Sequence, residues 1–183
     1  NANHPGDVTG ATALTIANEK IEYKHLNAGG TPEDDKVLVY DSSEATKWKW
    51  ADQSTSPTRT TASATTGSLA ADASADLSIT GFKSYALLKI AINHPAWVVL
   101  YTNDTTRTAD DSRSEGTDPT PGSGVLAEVI TTTAGASTFV MSPGLIGWND
   151  DGTPSTTVYA KVKNKDTSSR AITVTLTLIS MES

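Results

Sequence analysis

The chain has 183 residues, 48 of them Ser or Thr, no cysteine and a formal net charge of -7. That length allows one sizeable core or two small ones, and the lack of cysteine excludes a disulfide framework and a thiolate zinc site. Acidic residues outnumber basic ones eleven to six over residues 1–80 and ten to eight over 81–183, so no cationic surface exists to neutralise phosphates, and nucleic acid is excluded as a partner.

The helix formers Leu, Glu, Lys, Arg, Gln and Met are sparse while Thr, Val and Ile recur, which favours an all-β fold. The longest apolar stretch, residues 86–92, is broken by Lys89. It is far short of the ~20 residues of a membrane-crossing helix, so no membrane insertion is expected. The chain begins at Asn1 rather than Met, which suggests a processed or excerpted sequence.

In chain order, Ala11 and Ala13, then Ile21 and Tyr23, alternate with polar neighbours and suggest two short strands over residues 11–26. Turn chemistry over residues 29–35 leads into Lys36-Val37-Leu38-Val39-Tyr40, a β-branched and aromatic strand that Asp41-Ser42-Ser43 ends. Thr46-Lys47-Trp48-Lys49-Trp50 alternates, which puts both tryptophans on one face and predicts a hairpin with the preceding strand. Two strands cannot bury such rings alone, so Trp48, Trp50 and Tyr40 are candidate oligomer-interface residues. Residues 51–76 are nearly all Ala, Ser, Thr, Gly, Asp and Pro, with Leu69 the single large apolar side chain. That composition reads as a linker. Seven strands follow, at residues 77–80, 85–93, 97–102, 125–132, 137–141, 158–163 and 171–179, and suggest an antiparallel β-sandwich. In the last, Ile172, Val174, Leu176 and Leu178 share one face and Thr173, Thr175 and Thr177 the other. Trp97, beside Val98 and Val99, reads as sandwich core. The 103–124 insert is too long for a tight hairpin and reads as an ordered surface loop or a long crossover.

Two groups of these segments resemble virion proteins. The run Gly10-Ala11-Thr12-Ala13-Leu14-Thr15-Ile16-Ala17, with Lys36-Val37-Leu38-Val39-Tyr40-Asp41 and Trp48-Lys49-Trp50, resembles the repeating stalk units of phage tail fibres, especially those of viruses that infect cyanobacteria. Tyr85-Ala86-Leu87-Leu88-Lys89-Ile90, Pro95-Ala96-Trp97-Val98, Arg107-Thr108-Ala109-Asp110, Arg113-Ser114-Glu115-Gly116-Thr117-Asp118-Pro119 and Pro121-Gly122-Ser123-Gly124 are similar to a terminal module of structural proteins from the same viruses. The resemblance implies an extended stalk-like N-terminal segment with short hairpins (residues 1–50), a Ser/Thr/Ala-rich linker (51–76) and a jelly-roll-like β-sandwich head (77–183). It also implies a homotrimer on the virion surface, attached to other virion proteins through the N-terminal segment, with a host-surface glycan as candidate outside partner. Two alternatives are a capsid decoration or cement protein and a carbohydrate-binding module of a secreted bacterial protein.

The residues carry little sign of catalysis, and no cofactor is expected. His4, His25 and His94 have no partner at metal-ligand spacing, and no Gly-x-Ser-x-Gly elbow raises a nucleophile. Asp104, Asp110, Asp111, Glu115 and Asp118 do not follow the spacing of a calcium loop, so no metal ligand is assigned. With Arg107 and Arg113 among them, they read first as a solvated loop tied by local ion pairs and second as a receptor contact. Trp148 followed by Asn149, Asp150 and Asp151 offers a stacking face beside hydrogen-bond acceptors, as saccharide sites do; the competing reading is an Asp-Gly turn beside a core tryptophan. The candidate ligand-binding residues are therefore Trp148, Asn149, Asp150, Asp151, Arg107 and Arg113.

Overall fold

The computed structural model describes residues 8–9, 15–16, 33, 35–53 and 57–183, divided between two compact units, Asn1–Ser56 and Pro57–Ser183. Among the described residues, antiparallel strands dominate both units.

In the first unit, β1 (Val8–Thr9) pairs with β2 (Thr15–Ile16), and β3 (Lys36–Tyr40) pairs with β4 (Trp48–Asp52). Of the two strands expected over residues 11–26, Thr15–Ile16 alone falls within the described residues. The expected β3–β4 hairpin forms, and its register sets Tyr40 opposite Trp48 and Leu38 opposite Trp50. Tyr40 meets Trp48 edge to face at 5.7 Å between ring centroids, a geometry that the ring quadrupoles favour. Asp41 fixes the turn by accepting from the Ser43 N–H at 2.9 Å and pairing with Lys49 at 2.5 Å. The Lys49 ammonium, aided by Ser43, holds the Asp41 carboxyl well below its ordinary value. The aromatic face nonetheless stays open, with Tyr40 63% and Trp48 44% exposed.

The second unit is a β-sandwich. One sheet has the order β10 (Ser137–Trp148), β7 (Ser84–Ile92), β12 (Arg170–Glu182), β5 (Arg59–Leu69). The other runs β6 (Ser74–Thr80), β11 (Thr157–Asn164), β8 (Ala96–Tyr101), β9 (Val125–Thr131). Except for the β8–β9 hairpin, each consecutive pair of strands crosses from one sheet to the other. A single core lies between the sheets, with Tyr85, Leu87, Ile90, Ile92, Ile172 and Leu176 facing Ile79, Val98, Leu100, Val158 and Val162. The alternation of β12 is realised in full: Ile172, Val174, Leu176 and Leu178 are each wholly buried. Burial of each such side chain stabilises the fold by ~1.5–3 kcal/mol.

All seven expected strands are present, and an eighth corrects the sequence reading. Most of the expected 51–76 linker belongs to the sandwich instead: β5 pairs with β12 along its length, from Leu69 opposite Arg170 to Arg59 opposite Ile179, and β6 begins at Ser74. The unit boundary falls at Ser56–Pro57 rather than near Asp76. Small side chains suffice because β5 contributes one face of an edge strand. Ala62, Ala64 and Leu69 lie against the core beside β12 and across from β6 and β11, while Thr61, Ser63 and Thr65 face solvent opposite Thr177, Thr175 and Thr173.

Trp97 is also relocated. Ala96, Val98 and Leu100 point into the core, so Trp97, Val99 and Tyr101 emerge on the opposite face of the sheet and form a second buried cluster with Val125 and Tyr159. Strand β8 is buried on both faces, which requires a cover over the outer one.

Candidate functional site

The cover is the 103–124 insert, an ordered surface loop tied in part by local ion pairs, as expected; it is not a crossover, because β8 and β9 pair directly. Its two ends are drawn together by the Thr102 N–H, which donates to the Gly124 carbonyl at 2.9 Å. It opens with a short helix, α1 (Asp104–Ala109), capped by Asn103, whose side-chain oxygen accepts from the Thr106 N–H at 2.8 Å. The Thr106 side chain reaches back to the Asn103 backbone and completes a reciprocal box.

Beneath the insert the charges join in a network whose centre, Arg113 with Asp110, is buried. Arg113, with its side chain 6% exposed, donates through Nε to both Asp110 oxygens at 3.0 and 2.9 Å and through Nη1 to Glu128 at 2.8 Å. Its guanidinium carbon stands 5.2 Å from the centroid of the Trp97 ring, and the Trp97 indole N–H donates to the other Glu128 oxygen at 2.8 Å. Tyr101 donates to Asp110 at 2.8 Å; burial, reinforced by Asp110, pushes the Tyr101 phenol far above its ordinary value. Arg107 packs 5.2 Å over Tyr159, donates to the Leu77 and Ala160 carbonyls, and pairs with Asp104 at 2.5 Å. Lys161 pairs with Asp111 at 2.8 Å, and Lys165 with Glu115 at 2.8 Å. The buried guanidinium groups of Arg107 and Arg113 persist because each meets an opposite charge and donates hydrogen bonds, while Arg107 Nε and Arg113 Nη2 are left without an acceptor.

This arrangement corrects the reading of the two arginines as receptor contacts. Arg107 and Arg113 hold the insert to the sheet and present no free cationic face. Aspartates 104, 110 and 111 are likewise committed to cations, and among the described residues no group of three His, Asp or Glu side chains is placed to hold a metal.

The open site lies beside the network, at the end of the sandwich where β8 and β10 finish. There the insert and the segment after β10 enclose a cleft of about 460 Å³, walled by Thr106, Thr120, Ser123 and Gly124 on one side and by Trp148 and Asp150 on the other. A second cleft of about 340 Å³ shares the Thr120–Ser123 wall and runs along α1 past Thr105 and Ala109. Both volumes fall within the ~300–1,000 Å³ range of small-molecule sites.

The four residues 148–151 take different roles. Trp148 is 46% exposed and offers its ring to the cleft, so it is not the core tryptophan of the competing reading. Asp150 also lines the cleft, and its N–H donates to the Thr102 carbonyl at 2.8 Å. Asn149 is buried and purely structural: its amide donates to the Thr157 carbonyl at 3.0 Å and its oxygen accepts from the Asp151 and Ser155 N–H groups at 3.1 and 3.0 Å. Asp151 accepts from the Tyr159 hydroxyl at 2.8 Å; that bond, with burial, raises the Tyr159 phenol above its ordinary value. In the first unit, Trp50 is half-buried, whereas Tyr40 and Trp48 are open. His4 and His25 lie outside the described residues.

Sequence reasoning missed the hydroxyl-bearing wall at Thr120 and Ser123. The available signal was backbone chemistry, since Pro119, Pro121, Gly122 and Gly124 crowd into six residues and Gly122 and Gly124 adopt φ of +79° and +74°. Comparison of the chain with protein-family models, with curated proteins and with solved structures found no match.

Proposed function

We propose that this chain is a non-enzymatic structural protein of a virion appendage, of the tail-fibre kind, which trimerises through its N-terminal unit and presents a jelly-roll head to the outside. The observation that carries this reading is the β3–β4 hairpin. An isolated two-stranded hairpin is at best marginally stable in water, yet this one leaves Tyr40 and Trp48 uncovered, so association with further copies is what would bury them. Support for a jelly roll comes from the strand order, because eight antiparallel strands in two four-membered sheets with sheet-to-sheet connections match that architecture. The non-enzymatic part draws on the insert, whose acids and bases are spent on one another beneath a cover.

Sedimentation of the full chain at micromolar concentration tests the assembly. A trimer mass is expected, reduced to monomer by Trp48→Ala combined with Tyr40→Ala while the thermal transition of the head is unchanged. A monomer mass for the unaltered chain overturns the trimeric reading.

The Trp148 cleft favours a second reading, a carbohydrate-binding module. An exposed indole beside a carboxylate and several hydroxyls is suited to a sugar ring, whose apolar face stacks on the aromatic and whose hydroxyls meet polar groups. The two readings share this cleft and differ in what the N-terminal unit does.

A further inference from the structure

We infer that the two joined clefts form a single trough for a neutral oligosaccharide of at least two rings, with selection against acidic sugars. The inference rests on the head being the part of the chain that meets an outside surface.

Length follows from the layout. The cleft at Trp148 and the cleft along α1 share the residues Thr120 to Ser123 as a common wall, so a chain seated on the indole continues past that wall towards Thr105 and Ala109. A single ring seated on the indole leaves the second cleft to water.

Neutrality follows from charge. No Lys or Arg lines either cleft, and the acidic lining residues are Asp150 and Asp110. Asp110 is spent on Arg113 and Tyr101, whereas Asp150 is exposed at the mouth. The nearest guanidinium groups, those of Arg107 and Arg113, face the sheet. A carboxylated sugar would therefore meet the Asp150 carboxylate with no cation to offset it, while hydroxyls can donate to Asp150 and exchange hydrogen bonds with Thr120 and Ser123. The walls stand ready without ligand, because Gly124 and Asp150 both hydrogen bond to the Thr102 backbone. Pre-formed walls reduce the ordering cost of binding.

The experiment is calorimetric titration of the full chain with panels of neutral monosaccharides, neutral di- to tetrasaccharides and uronic-acid or sialylated oligosaccharides, with sedimentation run in parallel. The expected result is binding of one or more neutral oligosaccharides, at least tenfold weaker binding of the corresponding monosaccharide, and weaker binding still of acidic chains. Trp148→Ala should abolish binding without moving the thermal transition, and Asp150→Lys should shift preference towards acidic oligosaccharides. The inference is overturned if acidic chains bind the unaltered protein as well as neutral ones do, if Trp148→Ala retains affinity, or if no neutral oligosaccharide binds. A trimer that binds no saccharide overturns this inference and leaves the appendage reading standing; a monomer that binds neutral oligosaccharides does the reverse.

Discussion

Gly124 closes the base of the insert, and replacing it with Ala separates two costs that usually arrive together. At φ +74° an L side chain is in the left-handed region, which costs ~1–2 kcal/mol. A Cβ there would also lie 2.6 Å from Thr106 Cγ2, 2.7 Å from Thr102 Oγ1 and 2.8 Å from Thr106 Cβ, all far inside van der Waals contact. The Thr106 side chain cannot swing away without giving up its hydrogen bond to the Asn103 backbone, so overpacking adds ~1–3 kcal/mol. Gly122 supplies the control, because its φ of +79° is nearly the same and a Cβ there meets nothing within 4 Å. Urea unfolding with a constant m-value should show Gly122→Ala losing ~1–2 kcal/mol from backbone strain alone. Gly124→Ala should lose ~2–5 kcal/mol, with the clash making the difference. Equal losses for the two variants would refute the reasoning, since the close approach of the insert base to α1 would then carry no energetic weight.

Three further outcomes follow from burial and charge. Leu176→Ala, at a wholly buried position, should lower stability by ~2–5 kcal/mol, whereas Thr175→Ala on the outer face of the same strand should stay within ~0.5 kcal/mol; denaturant midpoints decide both. Arg113→Met should cost ~3–5 kcal/mol by stranding Asp110 and Glu128, visible as a lowered denaturation midpoint and altered Trp97 fluorescence, while Arg170→Ala, which removes a 40% exposed side chain paired with Asp166, should cost ~1 kcal/mol at most. Burial raises the Tyr85 and Tyr101 phenols above the ordinary value of 10.0, so their contribution is complete below pH 10. Above that pH the unfolded phenols ionise while the folded ones stay protonated, and stability should fall by ~1.4 kcal/mol per pH unit for each group. Urea midpoints through the alkaline range, beside ultraviolet tyrosinate titration, check this; unchanged midpoints would contradict it.

What could be read from the sequence depended on how local the deciding interaction was. Strand β12 was legible because one residue in two is a large aliphatic and its core-facing set is complete without reference to anything else. The hairpin was legible for a similar reason, since Trp48 and Trp50 alternate with lysines across a turn-forming stretch. Strand β5 was hidden because its inward residues are mostly alanine and threonine, whose burial makes sense only against the bulk of β12. Trp97 could not be assigned to a face, because every residue of β8 is buried and alternation vanishes when both sides of a strand are covered. The insert was opaque for a further reason: Arg113 has one partner three residues away and another, Glu128, in the next strand, and no spacing rule joins them.

The insert is anchored twice, at its base by Thr102 and Gly124 and along its middle by Arg107, Asp110 and Arg113, and this divides its freedom to evolve. Residues 104–113 shelter Trp97, Val99 and Tyr101, so a change there exposes part of the sandwich and is answered by loss of the fold. Residues 120–123 hold no such duty: they form the wall that the two clefts share, and lengthening a surface loop there costs only ~0.6 kcal/mol per doubling. Diversification of what this head recognises should therefore accumulate on that wall and spare the helix, leaving a molecule that can change its target without renegotiating its stability.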